Sequence, residues 1–402
     1  MKVAQFLSFE DTQVAFAALS DAELWRSYLL FKAINNQQLS KLGTQITRWA
    51  YHWRLPISPI VRNTIYRQFC GGETLSHIIP TINKLDQYNV KSMLDYGVEA
   101  KDREKDFDQT AKKLLKSILF AEKHLQQIPV INIKISGFAK FALLEAIQQQ
   151  QQLNPTQQEA LRRVEHRIDT LCQAAHDAQI ALYFDAEESW IQDALDTFVN
   201  AMMKKYNQQK PIVHNTYQIY RHDRLDVLKA AHQQALEHGY LLGAKVVRGA
   251  YMEKERERAQ KLNYPSPIQP DKAATDRDFD AALYYCLHNI DTISFCCASH
   301  NEQSTLTLCQ MMHEKNIPRN HPHIWFGQLY GMSNHISYNL AAAGYNAAKY
   351  LPYGPVTDVI PYLIRRAQEN TSVAGQAGRE LQLVESEIKR RKQHKWWKFL
   401  PL

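Results

Sequence analysis

Apolar residues in this chain keep two rhythms. From residue 8 to about 88 they recur every three or four positions, as in Leu24, Tyr28, Leu29 and Phe31. That spacing gives helices with one buried face. Ser20 or Asp21 stands where an N-cap belongs, and Gly71 and Gly72 interrupt the pattern. Eight short apolar runs follow: S-M-L-D-Y-G-V from Ser92, I-N-I-K-I from Ile131, I-A-L-Y-F-D from Ile180, P-I-V-H-N-T-Y-Q from Pro211, A-K-V-V-R-G from Ala244, I-S-F-C-C-A from Ile293, I-W-F-G-Q-L from Ile324 and A-A-K-Y-L from Ala347. Roughly twenty to forty residues of helical pattern separate most of them, as in βα units.

Near-continuous apolar strands suit a parallel sheet buried on both faces. Eight βα units predict an α/β fold, a distorted (β/α)8 TIM-type barrel with an N-terminal helical segment. A doubly wound sheet is the alternative, but no G-x-G-x-x-G opens a helix after any run. The predicted organisation is a helical segment over 1–88, a barrel over 89–380 and a basic, aromatic tail over 381–402. Gln148 to Gln152 reads as a helix end or loop. The run E-K-E-R-E-R, Glu253 to Arg258, reads as a solvated, salt-bridged helix face.

The stretch from Tyr350 to Asn370 concentrates polar chemistry. A turn is expected at Pro352, Gly354 and Pro355. Thr357 or Asp358 then caps a helix, with Pro361 in its first turn, where a missing N–H is harmless. Tyr362, Arg365, Arg366 and Glu369 fall on one face. Two neighbouring guanidiniums form a fork suited to a carboxylate or phosphate. The plainer reading is a solvated face with one intrahelical ion pair.

Composition narrows the function classes. The chain has 402 residues, 45% hydrophobic and 22% charged, with net charge +7. That is an ordinary globular balance with ample core. The mild basicity favours small anions or an anionic surface and is too diffuse for nucleic acid. Six scattered cysteines show no disulfide or metal spacing, which points to a reducing compartment. The N-terminus matches neither a signal nor a transit peptide, and no run of ~18 apolar residues could span a bilayer. A cytoplasmic protein is expected.

Barrel chemistry gathers where strands end. The runs end on Glu99, Lys134, Asp185 with Glu187, Tyr217 to Tyr220, Arg248 with Tyr251, His300 with Asn301, Gln328 with Tyr330, and Tyr350. Singly, each has a structural explanation: Asp185 as a turn residue, His300-Asn301 as a helix cap. Together, cations, tyrosines and glutamines without a nucleophile elbow or metal triad suggest an anionic ligand and a large cofactor. The H-P-H at His321 to His323 is read as loop, and no metal site is expected.

In order, the motifs D-Y-G-V-E-A, N-I-K-I-S-G, Y-F-D-A-E-E, N-T-Y-Q-I-Y, K-V-V-R-G-A-Y, A-S-H-N-E, F-G-Q-L-Y-G-M and R-R-A-Q-E-N resemble flavin-dependent proline dehydrogenases from about Ser92 to Asn370. The single-function form is the better match. Bifunctional enzymes have Trp where Met252 stands and Arg where Lys245 stands, which bears on flavin contacts. The resemblance implies FAD at the barrel mouth and L-proline against its ring. It implies hydride transfer from proline C5 to flavin N5, giving Δ1-pyrroline-5-carboxylate, and electrons passed to a membrane quinone.

By the same resemblance Lys134, Arg365 and Arg366 hold the proline carboxylate, and Tyr350, Tyr362 and Val246 pack on its ring. Asp185 holds the cations, and Glu99 pairs with Arg365 as a gate. Gln218 lies near flavin N5. Lys245, Arg248, Gly249, Ala250, Tyr251, Thr275, His300, Asn301 and Glu369 line FAD. Such a site orients and balances charge while the flavin does the chemistry. Hydroxyproline dehydrogenase is the nearest alternative. Methylenetetrahydrofolate reductase, another FAD barrel, gives no reason for the paired arginines, and a catalytically dead binding barrel is disfavoured by the intact charged set. Residues 389 to 402, K-R-R-K-Q-H-K-W-W-K-F-L-P-L, read either as a frayed terminus or as an anchor on an anionic membrane surface, which would place the protein peripherally at the inner membrane.

Overall fold

In a computed structural model, the apolar runs become eight strands: β1 (Val90–Tyr96), β2 (Val130–Ile133), β3 (Ala181–Phe184), β4 (Val213–Gln218), β5 (Leu242–Val247), β6 (Ile293–Ala298), β7 (Ile324–Leu329) and β8 (Ala347–Tyr353). They form a closed barrel in sequence order, and β1 to β7 pair in parallel, each with the next. The expected (β/α)8 fold is the observed one. The structure describes residues 7–36, 38, 61–97, 102–372 and 376–397, with backbone alone for 367–372, 376–377 and 394–397. The chain divides into two compact units, Met1–Val90 with Gln328–Leu402, and Lys91–Gly327.

In the Lys91–Gly327 unit the strands are buried along nearly their whole length. Their side chains meet neighbours on both faces, which is why they read as unbroken apolar runs. Register brings strand ends together: Ile133 pairs with Phe184, and Gln218 with Val247. The residues just beyond those positions therefore emerge side by side.

The Met1–Val90 and Gln328–Leu402 unit starts from the expected helices. Ser20 caps the Asp21–Asn35 helix in a reciprocal box with Glu23, a feature worth ~0.5–2 kcal/mol. Phe31 and Ile34 pack with Tyr66, Phe69, Val359, Ile360 and Leu363.

Five expectations are corrected here. β1 begins at Val90, two residues early. β8 does not stop at a turn at Pro352; it runs to Tyr353. There the Pro352 carbonyl accepts from Gly71 N–H and Tyr353 bridges to Gly72. The following helix starts at Val356, so Thr357 and Asp358 lie inside it, and Pro361 sits in its interior rather than its first turn. There proline removes a bond to the Thr357 carbonyl and favours a kink.

Residues 381–397 are helical. They belong to the Gln376–Trp397 helix, whose Leu383, Val384 and Ile388 bury against Phe16 and Leu24. Finally, Glu255 in the E-K-E-R-E-R run is wholly buried. It accepts both the N–H of Ser189 at 2.7 Å and the Ser189 hydroxyl at 2.6 Å, and so fixes the start of the Ser189–Tyr206 helix.

Candidate functional site

Four charged residues meet inside the barrel, two on β1 and β5 and two just beyond β2 and β3. The Lys134 ammonium donates to Asp185 Oδ2 at 2.8 Å and lies 3.5 Å from Asp95. Lys245 pairs with the other oxygen of Asp185 and reaches Asn132 at 3.4 Å. Asn132 and Lys134 share a strand face, as period two requires. Burial pulls the Asp185 carboxyl upward, but the two ammoniums outweigh it and hold the group below the usual carboxylate range. One carboxylate thus orients two lysines. The structure brings together Lys134, Asp185 and Lys245, and it adds Asp95 and Asn132.

Next along the rim, Gln218 ends β4, buried, with its Nε2 donating to the Glu187 carbonyl at 2.6 Å. Beyond β5 stands Arg248. Its guanidinium donates to Asp276 at 2.8 Å, Ser299 at 2.7 Å and Ser304 at 3.0 Å, and lies over Phe279. Gly249 follows at φ +137°, where an added Cβ would lie 2.5 Å from the Tyr220 ring. Only glycine suits that geometry. Gly249 and Ala250 are exposed, and Tyr251 N-caps the Met252–Leu262 helix. Thr275 lies in the first turn of the Lys272–His288 helix. Asn301 caps the Glu302–Glu314 helix by accepting from Ser304 N–H, with the half-buried His300 beside it. Val246 is fully buried within β5.

The rest of the set lies in the unit that holds β8. Tyr350 is half-buried within that strand, and its carbonyl accepts from Tyr330 N–H at 2.9 Å. Tyr362 and Arg366 are buried and Arg365 half-buried. The face expected to be polar is therefore part of a core: Tyr362 belongs to the cluster with Phe31, Tyr66 and Phe69. Glu369 lies on this helix, but its side chain is outside the described residues, and so is Glu99 altogether. Among the described residues no group of metal-ligating side chains occurs. His321 to His323 is loop, with His323 N–H on His321 Nδ1 at 3.2 Å.

A buried lysine–aspartate centre on the rim of a (β/α)8 barrel now has a family. A family model described as Proline dehydrogenase matches residues 78–379. The chain belongs to the proline dehydrogenase family, a family of oxidoreductases. It is 40% identical over 250 residues to Proline dehydrogenase 1, mitochondrial, of Drosophila melanogaster, which is 60% of this chain and 37% of that protein. It is 31% identical over 432 residues to Hydroxyproline dehydrogenase of Xenopus laevis, covering 96% of this chain and 90% of that one. Among solved structures, proline utilization A from Bdellovibrio bacteriovorus inactivated by N-propargylglycine aligns with a TM-score of 0.70 at 19% identity, covering 91% of this chain and 37% of that chain. That likeness concerns the fold.

Sequence reasoning missed Asp95, Asn132, Asp276 and Ser299. Asp95 carries a signal, being a charge inside an apolar strand, S-M-L-D-Y. Asn132 carries another, standing two residues before Lys134. Asp276 and Ser299 carry none, because only the fold brings them to Arg248.

Proposed function

We propose that this chain oxidises L-proline to Δ1-pyrroline-5-carboxylate, with FAD as its cofactor and a membrane quinone taking the electrons. The observation that carries this reading is the ion-paired Lys134–Asp185–Lys245 centre inside the barrel, within a chain of the proline dehydrogenase family. Lys134, Arg365 and Arg366 supply cations for the substrate carboxylate, and Asp185 keeps the lysines in place. Tyr350, Tyr362 and Val246 give the proline ring its apolar surface.

The residues present fit a flavin dinucleotide. A pyrophosphate needs exposed N–H groups, a close backbone approach and a cation. The exposed Gly249–Ala250 turn ahead of a helix and the anchored Arg248 offer these. Lys245, Tyr251, Thr275, His300, Asn301 and Glu369 complete the proposed cofactor set, with Gln218 toward the reacting end. Bound FAD supplies the hydride acceptor. The chain's own part is to orient the ring, exclude water and balance the carboxylate. Loss of hydride from C5 is easiest from the neutral amine, whose lone pair stabilises the forming iminium, so no side chain need attack carbon.

The test is anaerobic spectroscopy on purified protein. The flavin bands should bleach on adding L-proline and stay unchanged with NADH. Absence of flavin, or no bleaching by proline, overturns the reading. A second reading, oxidation of trans-4-hydroxy-L-proline, is favoured by the Xenopus relative that aligns over 96% of this chain. Rates for the two substrates separate them.

Among the described residues no helix is long and apolar enough to cross a membrane. We assign contact with a quinone-bearing membrane surface to residues 389 to 402, where lysines and arginines interleave with Trp396, Trp397 and Phe399.

A further inference from the structure

Two rungs join the ends of β2 and β3. The first is the Lys134–Asp185 pair at 2.8 Å. The second lies two residues further on in both segments. Ser136 donates its N–H to Glu187 Oε1 at 3.0 Å and its hydroxyl to Glu187 Oε2. Ser136 sits in the single 3-10 turn Ile135–Gly137, which Lys134 caps.

Glu187 also reaches the next strand, since its carbonyl accepts from Gln218 Nε2 at 2.6 Å. Its own N–H donates to Gln192 Oε1 at 2.7 Å, and Gln192 donates to Asp196 at 2.8 Å. Asp196 in turn holds the fully buried Arg224 at 2.7 Å. The N–H, the carbonyl and the carboxyl of one residue are thus all engaged, at 4% exposure.

A buried carboxyl is costly to keep. Burial pushes Glu187 up to about 7, the two Ser136 bonds pull it back, and the neighbouring Glu188 adds to the rise. The proposed reaction gives this group no proton to carry. What it does have is geometry. Two donors from one serine on two carboxyl oxygens fix orientation as well as distance. Lysine, by contrast, carries its charge on a flexible stem that cannot place itself. The geometry points to Glu187 as a positioning residue that sets Lys134 and Gln218 in one register across β2, β3 and β4. It fixes the separation between the cation for the substrate carboxylate and the amide toward the cofactor. This inference rests on the proposed proline oxidation.

The experiment uses the full-length, flavin-loaded protein as wild type, Glu187→Ala, Glu187→Gln and Ser136→Ala. Steady-state KM and kcat for L-proline are measured with a soluble dye. Thermal stabilisation by tetrahydro-2-furoate, a ring carboxylate with no amine to oxidise, gives a second readout.

Glu187→Ala should raise KM about tenfold or more and weaken the stabilisation by the furoate. Glutamine keeps both contacts, its oxygen accepting the Ser136 N–H and its amide donating to the hydroxyl. Glu187→Gln should therefore return KM to within about threefold of wild type. Ser136→Ala loses one bond of the two and should fall between them. An unchanged KM in Glu187→Ala, or a glutamine variant as impaired as alanine, overturns the inference. If Glu187→Ala does not fold, an unchanged KM in Ser136→Ala overturns it instead. Wild-type protein whose flavin proline does not bleach overturns the parent reading; normal wild-type turnover with unmoved variants overturns this inference alone.

Discussion

The Arg366 guanidinium lies 5.1 Å from the ring centroid of Tyr362, one turn earlier on the same helix. The ring is seated among Phe31, Tyr66, Phe69 and Leu363. A planar cation over a ring locked in a core gains stacking energy and loses little side-chain freedom when it binds an anion.

We therefore expect Arg366→Met to raise the proline KM strongly, by ~2–5 kcal/mol of lost binding, with flavin content little changed. Arg366→Lys should recover only a minor part, because a point charge neither stacks nor forks. Steady-state kinetics decide it. A KM equal to wild type in the methionine variant would mean that the guanidinium only fills the core.

The strands were legible because each is buried on both faces, so that apolar runs such as I-S-F-C-C-A stand out without help from partners. What escaped depends on contacts distant in sequence. Pro352 continues β8 because Gly71 donates to its carbonyl, a partner no local pattern reveals. Glu255 looks like its exposed neighbours in E-K-E-R-E-R, and only Ser189 distinguishes it. The charged strand ends were legible as a set, but not their pairing: that Lys245 reaches Asp185 from two strands away follows from barrel curvature. Pro361 falls in the helix interior because the helix starts at Val356, ahead of both Thr357 and Asp358.

Two buried groups give opposite pH signatures. Glu187 is raised from 4.5 to about 7 by burial. The folded state then binds the extra proton between those values, so this group's contribution falls as pH rises through them. Lys349, wholly buried in β8 with its ammonium donating to the Met332 carbonyl, is lowered from 10.5 to about 7 by burial, with Glu380 partly offsetting. Its contribution grows as pH rises above 7. His214, lowered from 6.5 to about 3 by burial, opposes Glu187 in the acid range, so differences between variants are the proper measure. The stability of Glu187→Gln relative to wild type should increase from pH 4.5 to 7, by at most ~3 kcal/mol. Lys349→Met should lose ground to wild type from pH 7 to 9, by ~1.4 kcal/mol per pH unit. Denaturant melts across pH test both, and parallel curves would contradict both.

The end of the chain separates into a packed part and a remainder. Arg391 donates to the carbonyls of Phe16 and Leu19, each at 2.8 Å, and to Asp21 at 2.9 Å. Arg390 pairs with the buried Glu387. These cations already serve folding. Deleting 394–402, which carries the aromatics and two lysines, should abolish sedimentation with anionic vesicles while sparing dye-linked activity. Deleting 389–402 should in addition lower stability, since charged hydrogen bonds contribute ~1.5–3 kcal/mol each. Unaltered sedimentation of the shorter deletion would move the membrane contact elsewhere.

Proline and 4-hydroxyproline share ring and carboxylate, so no arrangement of lysines and arginines can tell them apart. The difference is one hydroxyl on C4, and discrimination falls to whatever packs there. We assign that to Tyr350, the residue that the resemblance to proline dehydrogenases places on the proline ring. A phenol ring leaves the hydroxyl no room for water, at ~1–3 kcal/mol if no partner replaces it. Wild type should therefore prefer L-proline by about tenfold or more in kcat/KM, ~1.4 kcal/mol. Tyr350→Ser should narrow the gap chiefly by losing proline activity. Its backbone role survives substitution, since the carbonyl that accepts from Tyr330 N–H stays in place, so a narrowed ratio would report on the side chain. Measuring kcat/KM for both substrates on both proteins decides the matter: equal wild-type values, or a ratio the serine leaves unmoved, would take specificity away from Tyr350.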